Sequence, residues 1–248
     1  MANMSHEIRT PMNAIVGMTR LLMDKEPRDD QKKYMKAIQQ SADNLLVIIN
    51  DILDLSKIEA GKIVIEETDF VMTELIGSVK DILLFKAEEK GLAFKVSIDK
   101  NIPVRLIGDP TRINQVLINL AGNAVKFTES GSVSVDAYIH KQEDNKYWIR
   151  FDVTDTGIGI SPDYVGTIFE SFTQAGTDIA RKFGGTGLGL TISKQLVSLM
   201  GGEISVESEL GKGTKFTVIV PLTESANQVA ETETPIIDDY KKQKLAKA

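Results

Sequence analysis

The chain is predicted to be α+β, a helical hairpin over residues 1–61 followed by a sandwich of helices packed on a sheet. Three observations predict it. Apolar residues between positions 8 and 52 recur at alternating spacings of four and three, the signature of two antiparallel helices. Beyond residue 61, helical stretches alternate with short strand-like runs joined by turns. Hydrophobic residues make up 42% of 248, enough for a packed core.

The first helix carries Ile8, Met12, Ile15, Thr19 and Leu22 as its stripe, and the second Ile38, Ala42, Leu45, Ile49 and Ile52. The polar stretch Asp24–Asp30, with Pro27, separates them. Two helices alone bury such stripes poorly, so a dimeric four-helix bundle is the expected solution. Gly61 stops helix 2, and Lys62–Phe70 alternates like a strand. Val71–Lys90 reads as an amphipathic helix ended by Gly91, with strand-like Leu92–Ile98 behind it. Asp109 caps a further helix with Pro110 at its first position, and Ile113, Val116, Leu117, Leu120 and Val125 form its apolar face. Ser132–His140 and Tyr147–Thr154 form a hairpin around the polar loop Gln142–Lys146. A glycine-rich polar stretch runs from Asp155 to Gly189, then a helix to Met200 and two strands, Glu203–Ser208 and Thr214–Val220. The second domain is expected over 62–222, and the polar residues 223–248 are expected to be a linker or disordered tail.

Composition removes several classes of function. The net charge of −6 argues against binding nucleic acid through a basic surface. The absence of cysteine excludes disulfides and thiolate zinc sites, and two histidines alone argue against an imidazole-rich metal site. The longest apolar run is five residues, Leu45–Ile49, too short for a membrane span. These features predict a cytoplasmic protein or the cytoplasmic part of a larger one.

Four constellations are able to carry chemistry. Asp155-Thr-Gly157-Ile-Gly159 ends a strand, so its carboxylate can accept hydrogen bonds from an amino group while the glycines let a ligand approach the backbone. The alternative is a tight turn. Gly184-Gly185-Thr186-Gly187-Leu188-Gly189 opens a helix, where backbone N–H groups attract phosphate; the alternative is a flexible loop. Asn119 and Asn123 lie four apart on one helix face, and their amide oxygens suit a hard cation such as Mg²⁺. Lys126, one turn on, can neutralise phosphate charge; surface polarity is the plainer account of all three. Finally, Ser5-His6-Glu7-Ile8-Arg9-Thr10-Pro11 places His6 just off the apolar stripe. An exposed imidazole is largely neutral at pH 7 and keeps a nucleophilic lone pair, and Glu7 can take its other proton. Pro11 removes the N–H that would bond the Glu7 carbonyl, so a bend is expected beside His6. On its own, such a histidine is usually inert.

Together these residues resemble the bacterial sensor histidine kinases, especially the hybrid kind. His6–Pro11 resembles the H box, Asn119–Thr128 the N box and Asp155–Gly159 the G1 box. Phe169–Phe172 resembles the F box, Gly184–Leu190 the G2 box and Gly211–Thr214 the final glycine motif. The resemblance implies a dimerising phosphoacceptor hairpin and a Bergerat-type (GHKL) ATP-binding domain. It implies ATP and Mg²⁺ as cofactors, a homodimer, and a response-regulator receiver domain as partner. By the same resemblance His6 is the phosphoacceptor, Glu7 its base, and Thr10 a position that acts in dephosphorylating the partner. Asn123 binds Mg²⁺ assisted by Asn119, Lys126 meets phosphate, and Asp155 holds the adenine amino group. Gly157, Gly159, Phe172, Gly185, Thr186, Gly187, Leu188, Gly189 and Thr214 line the nucleotide site, with residues 160–187 as the lid.

Two rival readings share parts of this pattern. A GHKL-superfamily ATP hydrolase resembles Glu-x-x-x-Asn at the N box, where the Glu activates water; here that position is Asn119, which is no base. A non-catalytic dimer scaffold is expected to have lost a box, and none is lost. Only five residues precede His6, so helix 1 is expected to pair with the first half of helix 2 alone. Ile49, Ile52, Leu53 and Leu55 are then expected to seek another partner and the dimer to be weakened.

Overall fold

The computed structural model describes residues 2–171, 173 and 186–226, except the side chains of residues 2–7 and 9. Helices α1 (Ala2–Met23) and α2 (Asp29–Glu59) form the expected hairpin. The first runs through Pro11 as one continuous helix. Met12, Thr19 and Ala42 are buried, whereas Ile15, Leu22, Ile38 and Leu45 remain exposed, so the single hairpin covers only part of each stripe.

The sheet follows. Strand β1 (Thr68–Val71) leads into α3 (Met72–Glu89), then β2 (Ala93–Ile98) and β3 (Arg105–Gly108). Helix α4 (Pro110–Phe127) precedes the long hairpin of β4 (Ser132–Glu143) and β5 (Lys146–Asp155). A short helix α5 (Pro162–Val165), the helix α6 (Gly189–Leu199), β6 (Glu203–Glu209) and β7 (Gly213–Glu224) complete it. The strand order is β1-β3-β7-β5-β4-β2, with β6 also paired to β7. All pairings are antiparallel except β2 with β4. Helices α3, α4 and α6 pack the face built from Val133, Val135, Ile149, Phe151, Val153, Val218 and Val220. Alternate residues turn polar side chains to the opposite face, where Arg150 donates to Asp152 at 2.8 Å and Tyr138 also bonds it. Burial, then the bond to Asp152, pushes the Tyr138 hydroxyl up to about 12.

Three local expectations need correction. Only Thr68–Val71 of the alternating run is a strand; residues 62–67 make no ladder, and the Glu66 N–H instead donates to Asp109 Oδ2 at 3.1 Å. The polar loop contracts to Asp144 and Asn145, because Gln142 and Glu143 pair with Tyr147 and Lys146. Thr223 and Glu224 belong to β7 rather than to a tail, since β3 extends the ladder through Ile107–Thr223 and Leu106–Glu224. Helix α1 is continuous through Pro11, which stands well inside it and has no N–H to donate to the Glu7 carbonyl.

The end of α2 leaves the hairpin and packs on the second unit. Leu55 is 9% exposed within the sheet's core cluster and Ile58 lies against it, whereas Ile52 is 45% exposed. Two carboxylates accompany Leu55: Asp54 accepts from Gln115 Nε2 at 3.0 Å, and Asp51 from Thr186 Oγ1 at 2.9 Å. Among described residues no helix is long and apolar enough to cross a membrane.

Candidate active site

Helix α4 organises the site because its two ends have different neighbours. The Asp109 carboxylate accepts from the Arg112 N–H at 3.0 Å, the N-cap bond expected of that residue, with Pro110 at N1. Midway along, Asn119 Nδ2 donates to Ser193 Oγ on α6 at 2.8 Å. A Cβ on Gly189 would lie 2.5 Å from Asn119 Oδ1, so only glycine lets α6 begin this close to α4. Asn123, half-buried, stands one turn further on.

At its C-terminal end α4 meets the loop that follows β5. The Ile158 N–H donates to the Phe127 carbonyl at 3.4 Å. The Asp155 carboxylate is buried and its Oδ1 accepts the Gly157 N–H at 2.8 Å. Burial raises its pKa above the usual carboxylate range, although bonds from the backbone of Gly157 and Thr214 act in the other direction. Thr214 stands opposite Asp155 in the β5–β7 ladder.

The glycines of this loop are also required by their own neighbours. A Cβ on Gly157 would lie 2.6 Å from the Phe127 carbonyl oxygen, and one on Gly159 2.1 Å from the Glu209 carbonyl oxygen. On the side a Cβ would take, the space beside them is filled by protein backbone. They let the loop lie against α4 and the β6–β7 turn, and so fix where Asp155 points.

Lys126 is half-buried, its ammonium 4.9 Å from the Phe127 ring centroid, and burial lowers its pKa. Just before α6, Thr186 Oγ1 accepts the Leu188 N–H at 3.0 Å while donating to Asp51. Burial, with Asp54 nearby, raises the Asp51 carboxyl above its usual range. Gly187 and Leu188 lead into α6, and Thr191 Oγ1 donates to the Phe169 carbonyl at 3.0 Å. Phe172 and residues 174–185 of the expected lid, Gly185 among them, lie outside the described residues, as do the side chains of His6 and Glu7; His6 itself is on α1 and Thr10, exposed, follows one turn later.

The structure thus brings Asn119, Asn123, Lys126, Asp155, Thr186, Gly189 and Thr214 to one region around α4, and carries His6, Glu7 and Thr10 on the hairpin. Asp51, Asp54, Gln115 and Ser193 were not singled out by sequence reasoning. Asp51 and Asp54 had one visible signal, two carboxylates three apart in a stretch that also carries Ile52, Leu53 and Leu55.

Comparison with known proteins gives the same two units. Residues 1–61 match the His Kinase A (phospho-acceptor) domain, and residues 108–224 the Histidine kinase-, DNA gyrase B-, and HSP90-like ATPase family. The Sensor histidine kinase GacS of Pseudomonas protegens is 42% identical over 235 residues, which is 95% of this chain but 26% of that protein. The chain therefore spans about a quarter of the length of the curated relatives it matches. Among solved structures, full-length ShkA in complex with AMPPNP superposes with a TM-score of 0.75 at 36% identity, covering 92% of this chain and 46% of ShkA. The catalytic domain of histidine kinase ThkA gives a TM-score of 0.52 at 31% identity, covering 63% of this chain and 95% of that domain. In a further structure, of ThkA in complex with the response regulator protein TrrA, the TM-score is 0.60 at 29% identity, over 90% of this chain and 60% of that one. With its phosphoacceptor match on the helical hairpin and its ATPase match on the sheet, this chain belongs to the histidine kinase family.

Proposed function

We propose that this chain is the catalytic core of a two-component sensor kinase. It takes the γ-phosphoryl group of ATP onto His6 and passes it to an aspartate of a receiver domain. One observation supports the reading: α4 meets the Asp155 loop at its C-terminal end and the start of α6 at Asn119, so a single helix joins the groups read as the adenine and phosphate ends of the site. Asp155 accepts the adenine amino group, and the Thr186–Gly189 backbone and Lys126 face the phosphates.

The donor set fits Mg²⁺. Asn119 and Asn123 offer amide oxygens one turn apart, and the bond from Asn119 Nδ2 to Ser193 orients that amide with Oδ1 beside Gly189. When bound, the ion offsets phosphate charge. The residues of the chain hold donor and acceptor in line, where most phosphoryl-transfer catalysis lies. A neutral His6 nitrogen attacks the γ-phosphorus, the bond to the β-phosphate oxygen breaks, ADP leaves, and Glu7 accepts the other ring proton. The exposed Ile15, Leu22, Ile38 and Leu45 are the surface through which two hairpins form a homodimer.

Incubation with γ-labelled ATP tests the reading. Acid-labile label on the protein supports it; free phosphate with an unlabelled chain overturns it in favour of an ATP hydrolase. No label and no hydrolysis would leave a scaffold.

Two expectations follow from the site. Because burial raises the Asp155 pKa, the group protonates at a higher pH than an ordinary aspartate. The acceptor is then lost as pH falls. Adenosine, which has no phosphate to titrate, should bind progressively less well on acidification in wild type, while Asp155→Asn stays flat across that limb. A wild-type titration without that limb would count against the assignment.

Thr10→Ala addresses the second half of the cycle. From one turn beyond His6 its hydroxyl orients a water on a partner's phosphoaspartate without touching ATP. Phosphatase activity should fall while autophosphorylation survives. Equal loss of both would show that Thr10 only supports the helix.

A further inference from the structure

We propose that Lys90, at the C-terminal end of α3, is a positioning residue for the adenine end of the site. Its ammonium donates to the carbonyl oxygens of Val125 and Lys126, each at 2.8 Å, and to that of Thr128 at 3.4 Å. The first two are carbonyls of the last turn of α4, which a helix leaves without internal partners, and Thr128 is its C-cap. An ammonium has three donors, and here all three are engaged by the end of one helix. The positive charge also lies where the α4 dipole is negative.

Topology explains how a residue 35 positions away reaches this spot. The parallel pairing of β2 with β4 sets Ala93 opposite Ser132, so the turn from α3 into β2 runs alongside the turn from α4 into β4. The Ala93 N–H donates to the Gly131 carbonyl at 3.0 Å between the two turns. Lys90 is the C-cap residue of α3 and therefore stands beside the C-terminal end of α4.

What Lys90 fastens is the seat of the Asp155 loop. The next carbonyl along, that of Phe127, accepts the Ile158 N–H and lies against Gly157. Thr156 is tied to the start of β4: its N–H donates to the Ser132 carbonyl at 3.1 Å, and its Oγ1 accepts the Ser132 N–H at 3.0 Å. The loop thus rests on the end of α4 and the start of β4, and Lys90 holds the first of these. Without it, the Val125 and Lys126 carbonyls turn toward water, the last turn of α4 loosens, and Asp155 loses its register with the adenine.

This inference rests on the reading of Asp155 as the adenine acceptor, so the test includes both. In the full chain, Lys90→Met keeps the aliphatic stem and removes the charge and the donors. Adenosine, ADP and ATP should each bind less tightly by one common factor, about tenfold, as expected when a charged hydrogen-bonding group is lost. KM for ATP should rise by that factor, with kcat at saturation within about a factor of two. If Lys90→Met does not fold, Lys90→Gln, which keeps donors on a shorter neutral stem, should show the same uniform loss to a smaller degree. A folded variant with wild-type affinities overturns the proposal. So does a loss confined to ATP, which would place the effect at the phosphates, or a fall in kcat at constant KM. If Asp155→Asn weakens adenosine and Lys90→Met does not, only the role of Lys90 fails; if neither does, the adenine site itself is misplaced.

Discussion

Replacing His6 by glutamine should abolish acid-labile labelling by γ-labelled ATP, while nucleotide affinity stays within about twofold of wild type. The two functions stand on separate units. His6 is on α1, whereas the candidate nucleotide groups belong to α4, the loop after β5 and the start of α6. Glutamine offers an amide nitrogen whose lone pair is delocalised into the carbonyl, so it is no nucleophile at phosphorus. Retained labelling would place the phosphoryl group elsewhere, and His140 on β4 is the one other histidine to examine. Loss of nucleotide binding in the same variant would show instead that the hairpin residue supports the pocket.

Asp155→Asn should have the opposite profile. In the wild type the carboxylate accepts the Gly157 N–H through Oδ1, and on the proposed reading it also accepts the adenine amino group. Asparagine keeps its one oxygen for Gly157 and turns an NH₂ toward the base, donor against donor. Affinity for ATP, ADP and adenosine should fall tenfold or more, about 1.5–3 kcal/mol for a hydrogen bond to a charged group. Titration of the nucleotides against the folded variant checks it, and wild-type affinity would show that Asp155 faces something other than adenine.

The legible parts of this molecule are those whose signals are local. Asp109-Pro110 marks the start of α4 because an N-cap acceptor and a missing N–H both belong to the first turn. The β4–β5 hairpin is visible as alternation, since residues such as Ile149, Phe151 and Val153 share one face. The short β3 was not, because four residues after Pro103 carry too little pattern to separate from a loop. Lys62–Glu67 shows the converse: it alternates like a strand, yet the neighbouring Asp109 carboxylate takes one of its N–H groups. The glycines of the Asp155 loop were recognisable as special positions, but their neighbours, the carbonyls of Phe127 and Glu209, come from distant segments. Lys90 lies in a plain charged run, Lys86–Lys90, and nothing local distinguishes it; only the alignment of two helix-to-strand turns gives it an acceptor.

The order of strands has a consequence for how the chain is made. The last strand, β7, lies between β3 and β5 in the middle of the sheet. A ribosome releases the chain from the N-terminus, so β1 and β3 on one side, and β2, β4 and β5 on the other, exist before the strand that joins them. Until β7 emerges, β3 and β5 each present an unpaired edge. The late strand also supplies Thr214, the neighbour of Asp155, and pairs Glu224 with Leu106 far back in the sequence. Such distant pairings form slowly. Nascent chains that end before residue 213 are therefore the stage at which this protein is most exposed to aggregation and most dependent on chaperones.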